Sequence, residues 1–153
     1  NKDIEEIFKN VDYISSREMS SFIKILPGVE DLLVKLKKCN IQSIIVSTDI
    51  TIRAKLAMES VRLDKYFSRI IGGDLTQKTK PEPDLARLAL SDLKLDAKNV
   101  AIIGDHPVDI MMGNAVNLGL NIAVLTGLST NASAFNNLDC IVVNNLKNIN
   151  VNC

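Results

Sequence analysis

The chain has 153 residues, 46% of them hydrophobic, which is enough for one domain with a real core and excludes a disordered segment. Its 18 basic and 18 acidic residues balance, so no global field points to nucleic acid or a membrane surface, and any anion site must be local. No apolar stretch approaches the ~18 residues needed to span a bilayer, and no charged-then-apolar leader opens the chain.

Ile4, Ile7, Phe8 and Val11 recur at helical spacing with charges between them and no strand nearby, so residues 1–25 read as the tail of a helical element outside any sheet. Pro27-Gly28 then punctuates the chain, and Val29, Leu32, Leu33 and Leu36 mark one face of a helix. A strand is predicted over residues 41–46, ending in Ser47-Thr48-Asp49, whose short polar side chains suit a loop and the N-cap of a helix from about residue 50 to 61. Ile70-Ile71-Gly72-Gly73 reads as a short strand stopped by glycines. A polar loop runs on through Lys80-Pro81-Glu82-Pro83 to a helix carrying Leu85, Leu88 and Leu93.

A strand at 100–103 follows, then a helix over about 107–118, a strand at 121–125, a loop rich in Ser, Thr and Asn, a strand at 140–143 and a short closing helix near Leu146. Alternating strands and helices predict an α/β fold with a doubly wound parallel sheet. Cys39, Cys140 and Cys153 have no metal-ligand spacing, and Cys39 and Cys140 lie beside apolar runs where a reduced, half-buried thiol is ordinary. Reduced cysteines fit a reducing cytoplasm.

Four apolar residues followed by Gly104-Asp105 read as a buried parallel strand ending in a tight turn, and open α/β sheets bind ligands at that end of their strands. Asp109 follows Asp105 by one helical turn. Two such carboxylates suit Mg, which is usually held by one or two carboxylates together with substrate phosphate and water. Capping of the next helix by Asp105 is the alternative. His106 reads as a loop residue near the metal's water shell, and of Met111 and Met112 at least one should pack against the sheet.

Ser47-Thr48 after the first strand, Lys80 after the second, and Asp105 with Asp109 after the third supply a hydroxyl, a cation and a metal-binding pair, in that order. From Leu26 onward this set resembles the haloacid dehalogenase-like phosphohydrolase superfamily. The resemblance implies a Rossmann-like core over residues 26–153, with residues 1–25 as the end of a helical cap. It gives Ser47 and Thr48 the transferring phosphoryl group, Lys80 the charge on nucleophile and phosphate, and Asp105 and Asp109 the Mg, with Ser47, Lys80 and Asp109 counted as catalytic. Ile70-Ile71-Gly72-Gly73-Asp74 ahead of Lys80 is similar to the phosphoglycolate phosphatase branch, which acts on small phosphorylated metabolites.

The family's first motif, Asp-x-Asp-x-Thr at the end of the first strand, supplies a nucleophile that forms an aspartyl-phosphate, and no aspartate here has another two residues on. Asp49 is a poor substitute, since helix capping accounts for it better. Removing a central parallel strand strands backbone groups in the core at about 1–3 kcal/mol each. A missing N-terminal segment or a second chain is therefore expected to complete the sheet. The alternative is an inactive fragment that binds a phosphorylated ligand or a partner protein.

Overall fold

Short β-branched runs bounded by polar residues are too brief for helices and fit a pleated sheet, and among the described residues five of them form strands. These are β1 (Ile44–Val46), β2 (Arg69–Ile71), β3 (Ala101–Gly104), β4 (Leu120–Val124) and β5 (Ile141–Val143). Helices α1 (Val29–Lys38), α2 (Thr51–Ser60), α3 (Asp84–Leu93) and α4 (Pro107–Ala115) alternate with them. The computed structural model describes residues 22–153 continuously and, before them, residues 6, 7, 10, 11, 13, 14 and 18. Ile7 and Val11 are helical and exposed, whereas Ile4 and Phe8 lie outside the described residues. No described helix is long and apolar enough to cross a membrane.

Every strand pairing is parallel, with β1 on β2 in one sheet and β3, β4 and β5 in order in a second. The two sheets part between β1 and β3. Ser47 N donates to Ile71 O and Ser68 N to Ser43 O, so alternate residues of β1 turn their backbone groups to β2, and Ile44 and Val46 turn theirs the other way. Likewise Leu120 N donates to Val100 O, which leaves the backbone groups of Ala101 and Ile103 on the edge away from β4. Among the described residues no strand pairs with either edge.

One apolar core nevertheless joins the two sheets. Ile71, Leu85, Ala86, Ala89 and Met112 are buried together, with Ile44, Val46, Leu88, Ile102 and Val116 packed against them. Residues of β1, β2 and β3 thus share the side chains that α3 and α4 bring, and each fully buried large apolar side chain contributes about 1.5–3 kcal/mol. Met112 is in this core while Met111 is 42% exposed, as expected for neighbours on a helix. A second cluster of Ile110, Ala123 and Phe135, with Leu125, Leu138 and Cys140 around it, packs α4 on β4.

Helix α1 carries Glu30 and Asp31 in its first turn and Lys35, Lys37 and Lys38 in its last, which matches the helix dipole at both ends. Its N-cap Gly28 has φ of +88°, and a side chain there would press on Lys147, 2.9 Å from Cγ. The closing helix expected near Leu146 is a single 3₁₀ turn, Leu146–Asn148, lying against α1. This packing corrects the expectation of reduced thiols. Cys39, at the end of α1, forms a disulfide with Cys153, their Cα atoms 5.0 Å apart across 114 residues of sequence, while Cys140 is free. Spacing along the chain carries no sign of a pairing that only the docking of the last segment on α1 creates. In the chain-entropy model a loop of this length stabilises by roughly 3–5 kcal/mol. Reduction should therefore lower the denaturant midpoint, and Cys153→Ser should melt like the reduced protein and ignore reductant. Equal midpoints with and without reductant would remove the bridge from the stabilising contacts.

Candidate active site

Lys80 stands in the loop between β2 and α3, at a cis Lys80–Pro81 peptide. Its ammonium is 2.7 Å from Val46 O and 2.7 Å from Asp109 Oδ1. Val46 O belongs to the edge of β1 that faces away from β2, and Asp109 lies in the first turn of α4, directly after β3. One cation thus bridges the tips of the two sheets. The pair is nearly out of solvent, with side chains 12% and 11% exposed. Removing one partner from such a pair leaves an uncompensated charge.

The approach of α4 depends on Gly104, where a Cβ would collide with the Asp109 side chain. Helix α4 begins with a capping box: His106 Nδ1 accepts from Val108 N at 3.3 Å, and Asp109 Oδ2 accepts from His106 N at 3.1 Å. His106 is therefore the N-cap of α4, and the capping alternative for Asp105 falls away. The reason is local. Pro107 at the first helical position puts the N-cap one residue beyond Asp105.

Asp105 is held instead by the loop after β4. Leu128 N donates to its Oδ2 at 2.7 Å and Ser129 N to its backbone carbonyl at 3.2 Å, and a side chain on Gly127 would run into its carboxylate. Sequence reading missed this support, for which the only signal was a glycine shortly after the β4 run.

Ser47 and Thr48 open the loop after β1, with Ser47 half-buried and its hydroxyl accepting from Asp49 N at 3.1 Å. The structure corrects the expected cap at Asp49. Helix α2 starts at Thr51 with Ile50 as its N-cap and no side-chain cap bond. Asp49 Oδ1 takes Ile50 N and the Arg53 guanidinium, both at 2.8 Å, so an ion pair inside the first turn replaces the cap. An Arg at i+4 competes for the carboxylate that a cap would use.

The structure thus gathers every site residue expected from the sequence at adjoining strand tips: Ser47 and Thr48 beside Val46, Lys80 on Val46 O, Asp109 on Lys80, and Asp105 at the end of β3. The set offers an ammonium, a hydroxyl and two carboxylates around the end of the divided sheet. The donor chemistry fits a hard cation. Only Oδ2 of Asp105 accepts a hydrogen bond from the described residues, and Asp109 has lone pairs beyond its bonds to Lys80 and His106. Among the described residues no third His, Cys, Asp or Glu joins them.

The family model of the haloacid dehalogenase-like hydrolases matches residues 1–124. Among curated proteins, the chain is similar to the pyrophosphatase PpaX of Oceanobacillus iheyensis, 31% identical over 67% of this chain and 48% of that protein. It is also similar to the phosphoglycolate phosphatase of Neisseria gonorrhoeae, 34% identical over 63% of this chain and 41% of that protein. The chain spans less than half the length of these two relatives. Among solved structures it resembles a HAD-superfamily hydrolase from Ehrlichia chaffeensis, with a TM-score of 0.67 and 28% identity over 79% of this chain and 53% of that one. CbbY from Rhodobacter sphaeroides shares the fold, with a TM-score of 0.75 at 20% identity over 86% of this chain and 60% of that one. With the family model covering most of its length and the strand-tip residues in the family's order, the chain belongs to the haloacid dehalogenase-like hydrolases.

Proposed function

We propose that the 153 residues are the phosphoryl-binding and charge-neutralising part of a Mg-dependent phosphatase acting on a small phosphomonoester of the phosphoglycolate class. The observation that carries this reading is the Lys80 ammonium, held between the tip of β1 and Asp109, within one strand tip of Asp105. Relatives named phosphoglycolate phosphatase and pyrophosphatase support phosphoryl substrates of small size. The Ser47 hydroxyl and the Thr48 backbone orient the phosphoryl oxygens, and Lys80 offsets their charge. Asp105 and Asp109 would hold Mg, whose chemistry is to offset charge on the phosphoryl group.

The nucleophilic carboxylate, whose attack gives an aspartyl-phosphate that water hydrolyses, comes in this proposal from a strand between β1 and β3, on an N-terminal segment or a second chain. Two observations support that slot. The backbone groups of Ile44, Val46, Ala101 and Ile103 face it unpaired by any described strand, and Ile103, in an all-apolar strand, is 38% exposed. A parallel strand is ordinarily buried on both faces.

The test is phosphate release from phosphoglycolate, other small phosphomonoesters and pyrophosphate, with Mg and with chelator, by the 153-residue chain alone and by the chain supplied with a nucleophile-bearing segment. The chain alone should bind without turnover, and the supplemented protein should turn over only with Mg. In the latter, Asp105→Ala and Lys80→Ala should each lower kcat/KM by about 10²–10³-fold. Turnover by the chain alone would overturn the external nucleophile, and wild-type rates in either variant would remove that residue from the site. A ligand-binding fragment without catalysis is the second reading, favoured by the lack of an Asp-x-Asp pair in these residues, and turnover by the supplemented protein ends it.

A further inference from the structure

The Gly72-Gly73-Asp74 segment after β2 has no part in the chemistry above, yet it is bound closely to the loop that begins with Ser47. Asp74 Oδ1 accepts from Thr51 N at 2.6 Å and from Thr51 Oγ1 at 2.7 Å. Thr51 Oγ1 in turn accepts from Gly72 N at 3.1 Å, and Gly73 N donates to Asp49 O at 2.8 Å. The two glycines are required by contact between the backbones themselves. A Cβ on Gly72 would lie 2.7 Å from Asp49 O, and one on Gly73 would lie 2.6 Å from Thr48 O. Helix α2 has no side-chain cap of its own, so an orphan N–H of its first turn finds its acceptor 23 residues away in sequence.

We infer that Asp74 is a positioning residue for the phosphoryl-contacting loop: it locks Thr51, and with Gly72 and Gly73 it fixes the backbone of residues 47–51 from the far side. This rests on the reading of Ser47 and Thr48 as the loop that meets the phosphoryl group. Ser47 is fixed at one end by β1, where its N–H donates to Ile71 O, and the Asp74 interlock fixes the other end. A loop held at both ends presents its hydroxyl and amides without ordering them anew for each ligand. Both bonds to Thr51 fall on one Asp74 oxygen, Oδ1, so a single carboxylate oxygen holds the backbone and the hydroxyl of that residue together.

The test combines amide hydrogen exchange with titration of inorganic phosphate, on the full chain and on its Asp74→Ala, Asp74→Asn and Thr51→Val variants. In Asp74→Ala the amides of residues 48–51 should exchange about tenfold faster, while those of β3 to β5 keep their rates. The dissociation constant for phosphate should rise by about tenfold, and Asp74→Asn, which keeps an oxygen acceptor, should restore both readouts. Thr51→Val, which keeps the Thr51 N–H but loses the hydroxyl relay, should fall between them and serves if Asp74→Ala does not fold. Unchanged exchange in residues 48–51 overturns the interlock whatever the phosphate result. Faster exchange with unchanged phosphate affinity overturns the positioning role. If the wild-type chain binds no phosphate, the phosphoryl reading of the Ser47 loop fails, and with it the positioning role, while exchange alone decides whether the interlock exists.

Discussion

A single ammonium group, Lys80 Nζ, sits between a strand-tip carbonyl and a carboxylate, and the rest of the site is arranged around it. Val46 O lies at the tip of β1 and Asp109 in the helix that follows β3, so this one charge ties the two halves of the fold together at their strand tips. The pair is nearly buried, and loss of either partner costs about 3–5 kcal/mol because the other charge is left without compensation. In the proposed function, stability and charge neutralisation therefore rest on the same two side chains. Gly104 belongs to the same constraint, since any larger residue would push Asp109 off the turn.

The division of the sheet gives this bridge its significance. In an unbroken parallel sheet, β1 and β3 would be joined through a backbone ladder. Among the described residues no ladder joins them, and side chains make the connection, through the core shared by Ile44, Val46, Ile71, Ile102, Leu85 and Met112 and through the Lys80 bridge. The Cys39–Cys153 disulfide adds a third connection, between the helix before β1 and the segment after β5. The site thus lies at the mouth of the division, with Ser47 and Thr48 on one bank and Asp105 on the other.

Each bank is held from outside by the neighbouring loop. On one side the loop after β2 takes up the first turn of α2 through Asp74, and on the other the loop after β4 takes up Asp105 through Leu128 N. In both cases a backbone N–H meets a carboxylate oxygen, and a glycine beside it allows the chains to touch. Such charge-assisted bonds are among the stronger contacts available to a loop.

Ser47, Asp105 and Asp109 were legible because each closely follows an apolar run, and a parallel α/β sheet brings the ends of such runs to one side, whereas Lys80, nine residues beyond Ile71, was singled out by the family resemblance. The strand-and-helix alternation was legible for the same reason: hydrophobic period and glycine punctuation are local properties of the chain. Capping was not. Asp49 and Asp105 both have the residue type and position of a cap, yet Arg53 claims the first and Pro107 displaces the second, so that Ile50 and His106 fill the cap positions. The sequence by itself determined which polar residues close the apolar runs and in what order, since hydrophobic period and glycine punctuation are local, and the family resemblance added Lys80 to them. Only the tertiary structure decided which of them pair: Lys80 with Val46 O and Asp109, Asp74 with Thr51, Asp105 with the loop after β4, and Cys39 with Cys153. Those contacts join residues from 23 to 114 positions apart, and no local preference of the chain encodes a distance that packing alone creates.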